Sequence, residues 1–334
     1  MLYQKILITG AGGFLGGRMA EGLTQAGYAV RATARNNAPQ AKLEALGAEF
    51  IAAELCDPEA VGPAVAGCDA IVHCAAKSSP WGPYNAFYAA NVQATEWLLA
   101  AAQKQGIRRF IHISTPSIYY EFRHRRGVKE SDPLPANMVN HYAATKLIAE
   151  EKVLQSGLSA MILRPRAIIG RGDTVIMPRF LKAFEENKLR RIGSGENVVS
   201  VTPAANVVEA VKCALTAPEA ALGKAYNITS GEDVLLWGLI GEMLGRLELD
   251  RKLRPLPFPV AMFLAKIMDA YSRYFSKKEP ALTPYSIGLL AYDMTLDIAQ
   301  ARELLGYQPV QTASEGVAEF AQWWRHPDTI HPTL

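Results

Sequence analysis

The chain has 334 residues, 49% of them hydrophobic and 20% charged; it is too apolar for a disordered chain and, at about 150 residues per domain, long enough for about two packed units. Thirty-five lysines and arginines against 32 aspartates and glutamates leave a net charge of +3, too small an excess to suggest a nucleic-acid partner. The four cysteines form no C-x-x-C pair, the first residues run directly into a strand pattern rather than a signal segment, and no uncharged apolar run is long enough to span a bilayer, so a protein of the reducing cytoplasm is expected.

From Lys5 to Pro165 short β-branched runs alternate with longer helical patterns, the mark of repeated βαβ units and a parallel sheet. The spacing predicts strands at 5–9, 29–34, 49–53, 69–74, 108–114 and 158–163, and helices at about 14–26, 40–46, 58–66, 85–104 and 140–155. Six strands and five crossovers read as an α/β, Rossmann-type doubly wound sheet. Past about residue 170 the rhythm breaks into Gly- and Pro-punctuated loops, with helices at about 204–215, 235–247, 259–275, 296–305 and 313–324. These predict a smaller, mostly helical C-terminal domain. The expected division is 1–170 and 171–334, with some exchange of segments and a shared cleft.

Thr9-Gly10-Ala11-Gly12-Gly13-Phe14-Leu15-Gly16-Gly17 follows the first strand and opens the first helix. Glycines 10, 13 and 16 permit a tight turn, close approach of backbone to a pyrophosphate and close packing of helix on strand, while the helix N-terminus supplies oriented N–H donors. A dinucleotide is therefore expected on Gly10, Gly13, Phe14, Leu15 and Gly16, leaving the C-terminal domain to the substrate. Where an Asp or Glu at the end of the second strand would accept from the 2′-hydroxyl of NAD, the chain has Ala34-Arg35-Asn36-Asn37. The Arg35 guanidinium suits a 2′-phosphate, so NADP(H) is favoured over NAD(H).

Tyr142-Ala143-Ala144-Thr145-Lys146 places a phenol and an ammonium on one helix face. A neighbouring ammonium is expected to favour the phenolate and lower the phenol pKa. Upstream, the fifth strand ends in His112-Ile113-Ser114-Thr115-Pro116-Ser117-Ile118-Tyr119, which brings hydroxyls to the carboxyl edge of the sheet, where open α/β folds bind ligands. Together with the glycine turn, these motifs resemble the extended short-chain dehydrogenase/reductases over essentially the whole chain. The resemblance implies a catalytic set of Thr115, Tyr142 and Lys146: Tyr142 exchanges the proton, Lys146 lowers its pKa and holds the nicotinamide ribose, and Thr115 orients the carbonyl, with Ser114 and Ser117 as competing hydroxyls. It also implies cofactor contacts from Ala75 and Ala76 after strand four, Glu54 and Leu55 near adenine, and Pro165 at the end of strand six. Asn91 matches an Asn of the long fourth helix.

Within that superfamily the chain is similar to the 3β-hydroxysteroid dehydrogenase-like branch, and more narrowly resembles bacterial 2-alkyl-3-oxoalkanoate reductases. The residues that carry this are Ala75-Ala76-Lys77, Trp81-Gly82-Pro83-Tyr84, Ser114-Thr115-Pro116-Ser117 and Leu163-Arg164-Pro165-Arg166. The expectation is an NADP(H)-dependent oxidoreductase that interconverts a ketone and a secondary alcohol on a hydrophobic 3-oxo/3-hydroxy lipid or sterol-like substrate. Lys77, Trp81 and Ser117 are candidate substrate contacts, and Lys77 or the run Arg123-His124-Arg125-Arg126 is expected to draw in an acidic group. A nucleotide-sugar epimerase or dehydratase is the alternative, and a non-catalytic dinucleotide sensor a second. In 259–278 the charges Lys266, Asp269, Arg273 and Lys277 leave a wide apolar face, which would roof a pocket, touch a membrane surface or pack on the core. Helices 85–104 and 140–155 could pair into a homodimer. Six histidines form no His-x-x-x-His pair with a nearby acid and no G-x-S-x-G elbow occurs, so neither a metal nor hydrolase chemistry is expected.

Overall fold

The structure is a computed structural model that describes Tyr3, residues 5–249 and residues 252–326. Its centre is a seven-stranded parallel sheet: β1 (Lys5–Thr9), β2 (Ala29–Ala34), β3 (Glu49–Ala52), β4 (Ala70–His73), β5 (Arg109–Ile113), β6 (Ala160–Pro165) and β7 (Ala225–Ile228). In space the order is β7-β6-β5-β4-β1-β2-β3, so the order reverses at β1 and opens the crevice that doubly wound sheets use for ligands. Six strands lie within two residues of their predicted ends. The seventh, Ala-Tyr-Asn-Ile, went unpredicted: it is four residues long and carries a central amide.

Buried parallel strands need apolar side chains on both faces. Ile6 and Ile8 face one core with Met19, Leu23, Val211 and Tyr226; Leu7 faces the other with Ile71, Leu98 and Phe110. Asp57 caps the helix Pro58–Val65 by accepting from the Glu59 N–H at 3.0 Å, and Asn140 caps His141–Gln155 by accepting from the Ala143 N–H at 2.8 Å. The long fourth helix runs over 84–104, with a π-helical turn at Ala89–Gln93 in its middle. Ala94–Lys104 and His141–Gln155 pack side by side.

Past β6 the chain divides its residues between two layers. Ala204–Thr216, β7 and Ala299–Leu305 return to the central sheet. Met177–Glu185, Leu236–Arg246, Phe258–Tyr271, Pro284–Ala291 and Ala313–Trp324 surround a separate core of Leu181, Phe184, Trp237, Met243 and Phe320. Beside it Asp233–Leu235, Val198–Ser200, Met294–Leu296 and Arg125–Val128 form a four-stranded sheet. Leu296 therefore ends a strand, and the helix predicted to start there begins at Ala299. No helix among the described residues is long and apolar enough to cross a membrane.

Candidate active site

The glycine turn is built as its residues require. Gly10 has φ +70°, and a Cβ there would lie 2.8 Å from the Ala75 backbone; a Cβ on Gly16 would lie 2.2 Å from the Gly10 carbonyl oxygen. The helix Phe14–Gln25 starts at Gly13 with no side-chain cap and no acid in its first turn, so its first amides face outward without a partner from a capping side chain. Bare amides at a helix start and glycines where any Cβ would collide fit a dinucleotide pyrophosphate. Phe14 approaches Gly172 across the crevice, and Leu15 packs on the core. Ala75 and Ala76 follow β4 beside the turn: the Ala75 N–H donates to Thr9 Oγ1 at 3.1 Å. Arg35 is exposed just past β2 and forms no ion pair among the described residues. Glu54 is exposed, whereas Leu55 is packed into the core with Val61 and Val65.

Strand register sets Thr9, His73 and His112 side by side on β1, β4 and β5. Thr95 donates to the Asn91 carbonyl at 2.7 Å, so it accepts from His73 Nε2 at 3.0 Å, which leaves His73 Nδ1 to accept from the Thr9 hydroxyl at 2.7 Å. Burial holds the His73 pKa down to about 3. His112, buried for the same reason well below its ordinary value, accepts from Lys146 Nζ at 2.8 Å.

Lys146 is 1% exposed, and its Nζ also donates to the Ile113 carbonyl at 2.7 Å. Burial lowers its pKa to about 8. Thr115 caps the short turn Pro116–Tyr119 by accepting from the Ser117 N–H at 3.1 Å, and it hydrogen-bonds the Tyr142 hydroxyl. The structure thus brings Thr115 and Tyr142 into contact. One expectation reverses: the Tyr142 phenol is not lowered but pushed up to about 12, chiefly by burial. Lys146 is turned toward β5, and desolvation outweighs the charge the helical spacing suggested. The Ser114 hydroxyl is buried with no hydrogen-bond partner among the described residues. Pro165 ends β6 beside Ile228 of β7.

The other side of the crevice is lined from the C-terminal residues. Ser117 Oγ lies 2.8 Å from the hydroxyl of Tyr285, on the helix Pro284–Ala291, and 3.0 Å from Thr115 Oγ1. Lys77 is fixed through its backbone: its N–H donates to Asn91 Oδ1 at 2.7 Å, while Asn91 Nδ2 donates to the Lys77 carbonyl at 3.2 Å and to Thr145 at 3.0 Å. Asn91 sits in the π-turn, the extra residue of which turns its amide to both partners. Lys77 Nζ rests 5.3 Å from the Phe87 ring centroid. Trp81 Nε1 donates to Asp269 at 3.1 Å, so its indole clamps the loop to Phe258–Tyr271.

The basic run is not a free anion-binding loop. Arg123 pairs with Glu121, Arg125 with Glu121 and Asp132, and Arg126 with Asp293, and Arg125–Val128 is a strand of the small sheet. Among the described residues no group of three or more His, Cys, Asp or Glu side chains could hold a metal. Tyr285 and Arg166 are the polar groups that sequence reasoning did not place here. Arg166 closes the quoted run Leu163-Arg164-Pro165-Arg166 as a mark of resemblance only, and the contacts of both come from segments distant along the chain.

Comparison with known proteins follows this geometry. The chain matches the NAD dependent epimerase/dehydratase family over residues 6–229. It is 38% identical to the uncharacterized protein YbjS of Escherichia coli (strain K12), covering 96% of this chain and 98% of that one. It is 35% identical to a 2-alkyl-3-oxoalkanoate reductase of Stenotrophomonas maltophilia (strain K279a), over 94% of this chain and 97% of the relative. A third relative, at 32% identity over 96% of each chain, is the 4-hydroxy-2-methyl-3-oxo-4-farnesyl-3,4-dihydroquinoline-1-oxide ketoreductase of Stigmatella aurantiaca. The UDP-glucuronic acid 4-epimerase of Bacillus cereus, solved with NAD, shares the fold with a TM-score of 0.73 at 23% identity, covering 96% of this chain and 98% of that one.

Proposed function

The chain belongs to the NAD dependent epimerase/dehydratase family, and from that premise we propose that it reduces the ketone of a hydrophobic 3-oxo acid, of the 2-alkyl-3-oxoalkanoate type, to the secondary alcohol. The observation that carries this reading is the Thr115 hydroxyl beside the half-buried Tyr142 phenol, one helical turn from Lys146, in a fold whose glycine turn opens a helix with no side-chain cap. A phenol held at about 12 keeps its proton at neutral pH and is a donor there. A bound dinucleotide would supply hydride to the carbonyl carbon. Tyr142 gives its proton to the carbonyl oxygen and regains one from solvent, Thr115 holds that oxygen, and Lys146 would hold the nicotinamide ribose. The exposed Arg35, with no acid paired to it among the described residues, supports NADP(H) over NAD(H). The reductase and ketoreductase relatives support the reaction class. The exposed apolar face of Phe258–Tyr271 supports peripheral contact with lipid.

The test is oxidation of NADPH and of NADH against a panel of 2-alkyl-3-oxo acids, ketosteroids and nucleotide sugars, with the Tyr142→Phe variant in parallel. Consumption of NADPH by the 3-oxo acids is expected, with turnover lost and dinucleotide binding kept in Tyr142→Phe. Conversion of a nucleotide sugar with no net change in dinucleotide would replace this reading with the epimerase one.

A further inference from the structure

Two arginines stand two residues apart at the carboxyl end of β6, and the protein treats them differently. Arg164 is fully engaged: its guanidinium pairs with the buried Glu150 at 2.5 Å and donates to the Tyr119 hydroxyl. Arg166 is as deeply placed, 7% exposed. Its backbone is pinned, its N–H donating to Thr202 Oγ1 at 3.0 Å and its carbonyl accepting from the same hydroxyl at 2.7 Å. Among the described residues its guanidinium makes one hydrogen bond, from Nη1 to the Ser200 carbonyl at 2.7 Å. Among the described residues no carboxylate lies within ion-pair distance of it. A guanidinium has five N–H donors, and a charge taken this far from water is ordinarily paired.

What surrounds this cation is the substrate side of the site. Tyr285, Tyr120 and Asp233 are the groups whose charge acts on it. The rings of Tyr120 and Tyr285 meet edge to face with centroids 5.1 Å apart, and the Tyr120 hydroxyl is itself buried with no hydrogen-bond partner among the described residues. From Tyr285 a line of hydroxyls runs through Ser117 and Thr115 to Tyr142. A ligand whose ketone oxygen sits on Thr115 and Tyr142 would follow this line of hydroxyls toward Tyr285, the phenol that interacts with the Arg166 charge. The rival anchors are engaged otherwise: each arginine of the 123–126 run has an acid partner, and the Lys77 ammonium rests on Phe87.

We propose that Arg166 is the carboxylate receptor of the substrate pocket, its guanidinium edge gripping the acid group of a 3-oxo acid while the ketone lies on Thr115 and Tyr142. The inference rests on the ketone-reducing reading for the placement of the ketone. A planar fork binds a carboxylate through two parallel N–H···O bonds, so Arg166 selects acids over the corresponding esters and over neutral ketones.

The experiment uses the full chain, Arg166→Met and Arg166→Lys, each assayed with a 2-alkyl-3-oxo acid and with its methyl ester. The kcat/KM for the acid should fall between about tenfold and a hundredfold in Arg166→Met, the range for a lost hydrogen-bonded charge contact, and by less in Arg166→Lys, with the ester within about threefold of wild type. The Tm of Arg166→Met should equal or exceed that of wild type, because an unpaired buried charge is unfavourable to the folded state. Equal losses for acid and ester, or a sharply lower Tm, would assign Arg166 a structural role and overturn the proposal. A readout independent of turnover is the Tm shift given by a saturating 2-alkyl-3-hydroxy acid, expected in wild type and absent in Arg166→Met. Wild-type turnover of acid and ester alike would refute the carboxylate receptor and leave ketone reduction standing. A hydroxy-acid shift with no turnover of any ketone would do the reverse.

Discussion

A lysine that is 1% exposed and held to about 8 leaves a mark on stability as well as on chemistry. Its folded value lies below the ordinary 10.5, so between about pH 8 and 10.5 the unfolded chain keeps a proton that the folded chain has released, and the stability of the fold rises with pH through that window. Below it both states are protonated and the full penalty of the buried ammonium stands. Urea unfolding of wild type and Lys146→Met from about pH 7.5 to 10 should show the wild-type stability climbing relative to the variant; parallel curves would mean that Lys146 does not titrate there. Tyr142 and Lys146 were legible in the sequence because their relation is local, four residues along one helix. The direction of the Tyr142 shift was not, because it depends on how much water the finished fold removes. Arg166 and Tyr285 escaped for a related reason: what makes each informative is a partner brought in by the fold, Ser200 for Arg166 at a separation of 34 and Ser117 for Tyr285 at 168.

At the scale of elements, the sequence announced whatever a period could carry. Strands such as Arg-Phe-Ile-His-Ile, buried at every position, have no alternative reading between two helices. Met177–Glu185 and Pro284–Ala291 were missed because each is short and opens with proline in or beside a loop, and β7 because its partner β6 rather than its own composition makes it a strand. The junction of β1 with the first helix is the element contact on which the proposed dinucleotide site rests. Gly16→Ala would drive a methyl into the Gly10 carbonyl, 2.2 Å from the new carbon, whereas Gly62→Ala, inside Pro58–Val65, meets nothing within 4 Å. Gly62→Ala should therefore be neutral or stabilising by up to about 1 kcal/mol. Gly16→Ala should lower the Tm by roughly 5 °C or more and abolish NADPH binding in a fluorescence titration. Normal NADPH affinity in Gly16→Ala would remove the turn from the cofactor site.

At the scale of the molecule, exposed bulky apolar side chains gather on the outer face of Phe258–Tyr271 and the π-turn Ser272–Ser276 that continues it. Ala261 and Ala265 fill the inward side, while Phe263, Tyr274 and Phe275 stand 64%, 76% and 74% exposed, and Tyr271 stacks on Phe275. Lys266, Arg273, Lys277 and Lys278 are exposed among them, whereas Asp269 is held by Arg273 and Trp81 and Glu279 by Arg179 and Ser79. A helix with bulky apolar side chains outward and cations interleaved matches an anionic lipid surface, each cation adding about 1 kcal/mol near the headgroups. Through Asp269 and Trp81 the same helix adjoins the loop at the mouth of the crevice, so a long-chain substrate would have a direct route from lipid to Tyr142. The protein should float with vesicles of phosphatidylglycerol and phosphatidylethanolamine, less so with added salt, and poorly with phosphatidylcholine alone. Phe263→Ser, Tyr274→Ser and Phe275→Ser together should abolish flotation while leaving reduction of a short-chain substrate unchanged. Equal binding to neutral vesicles would discard the role of the cations. A dimer in solution that the same triple variant splits would show instead that this face is covered by a second copy of the chain.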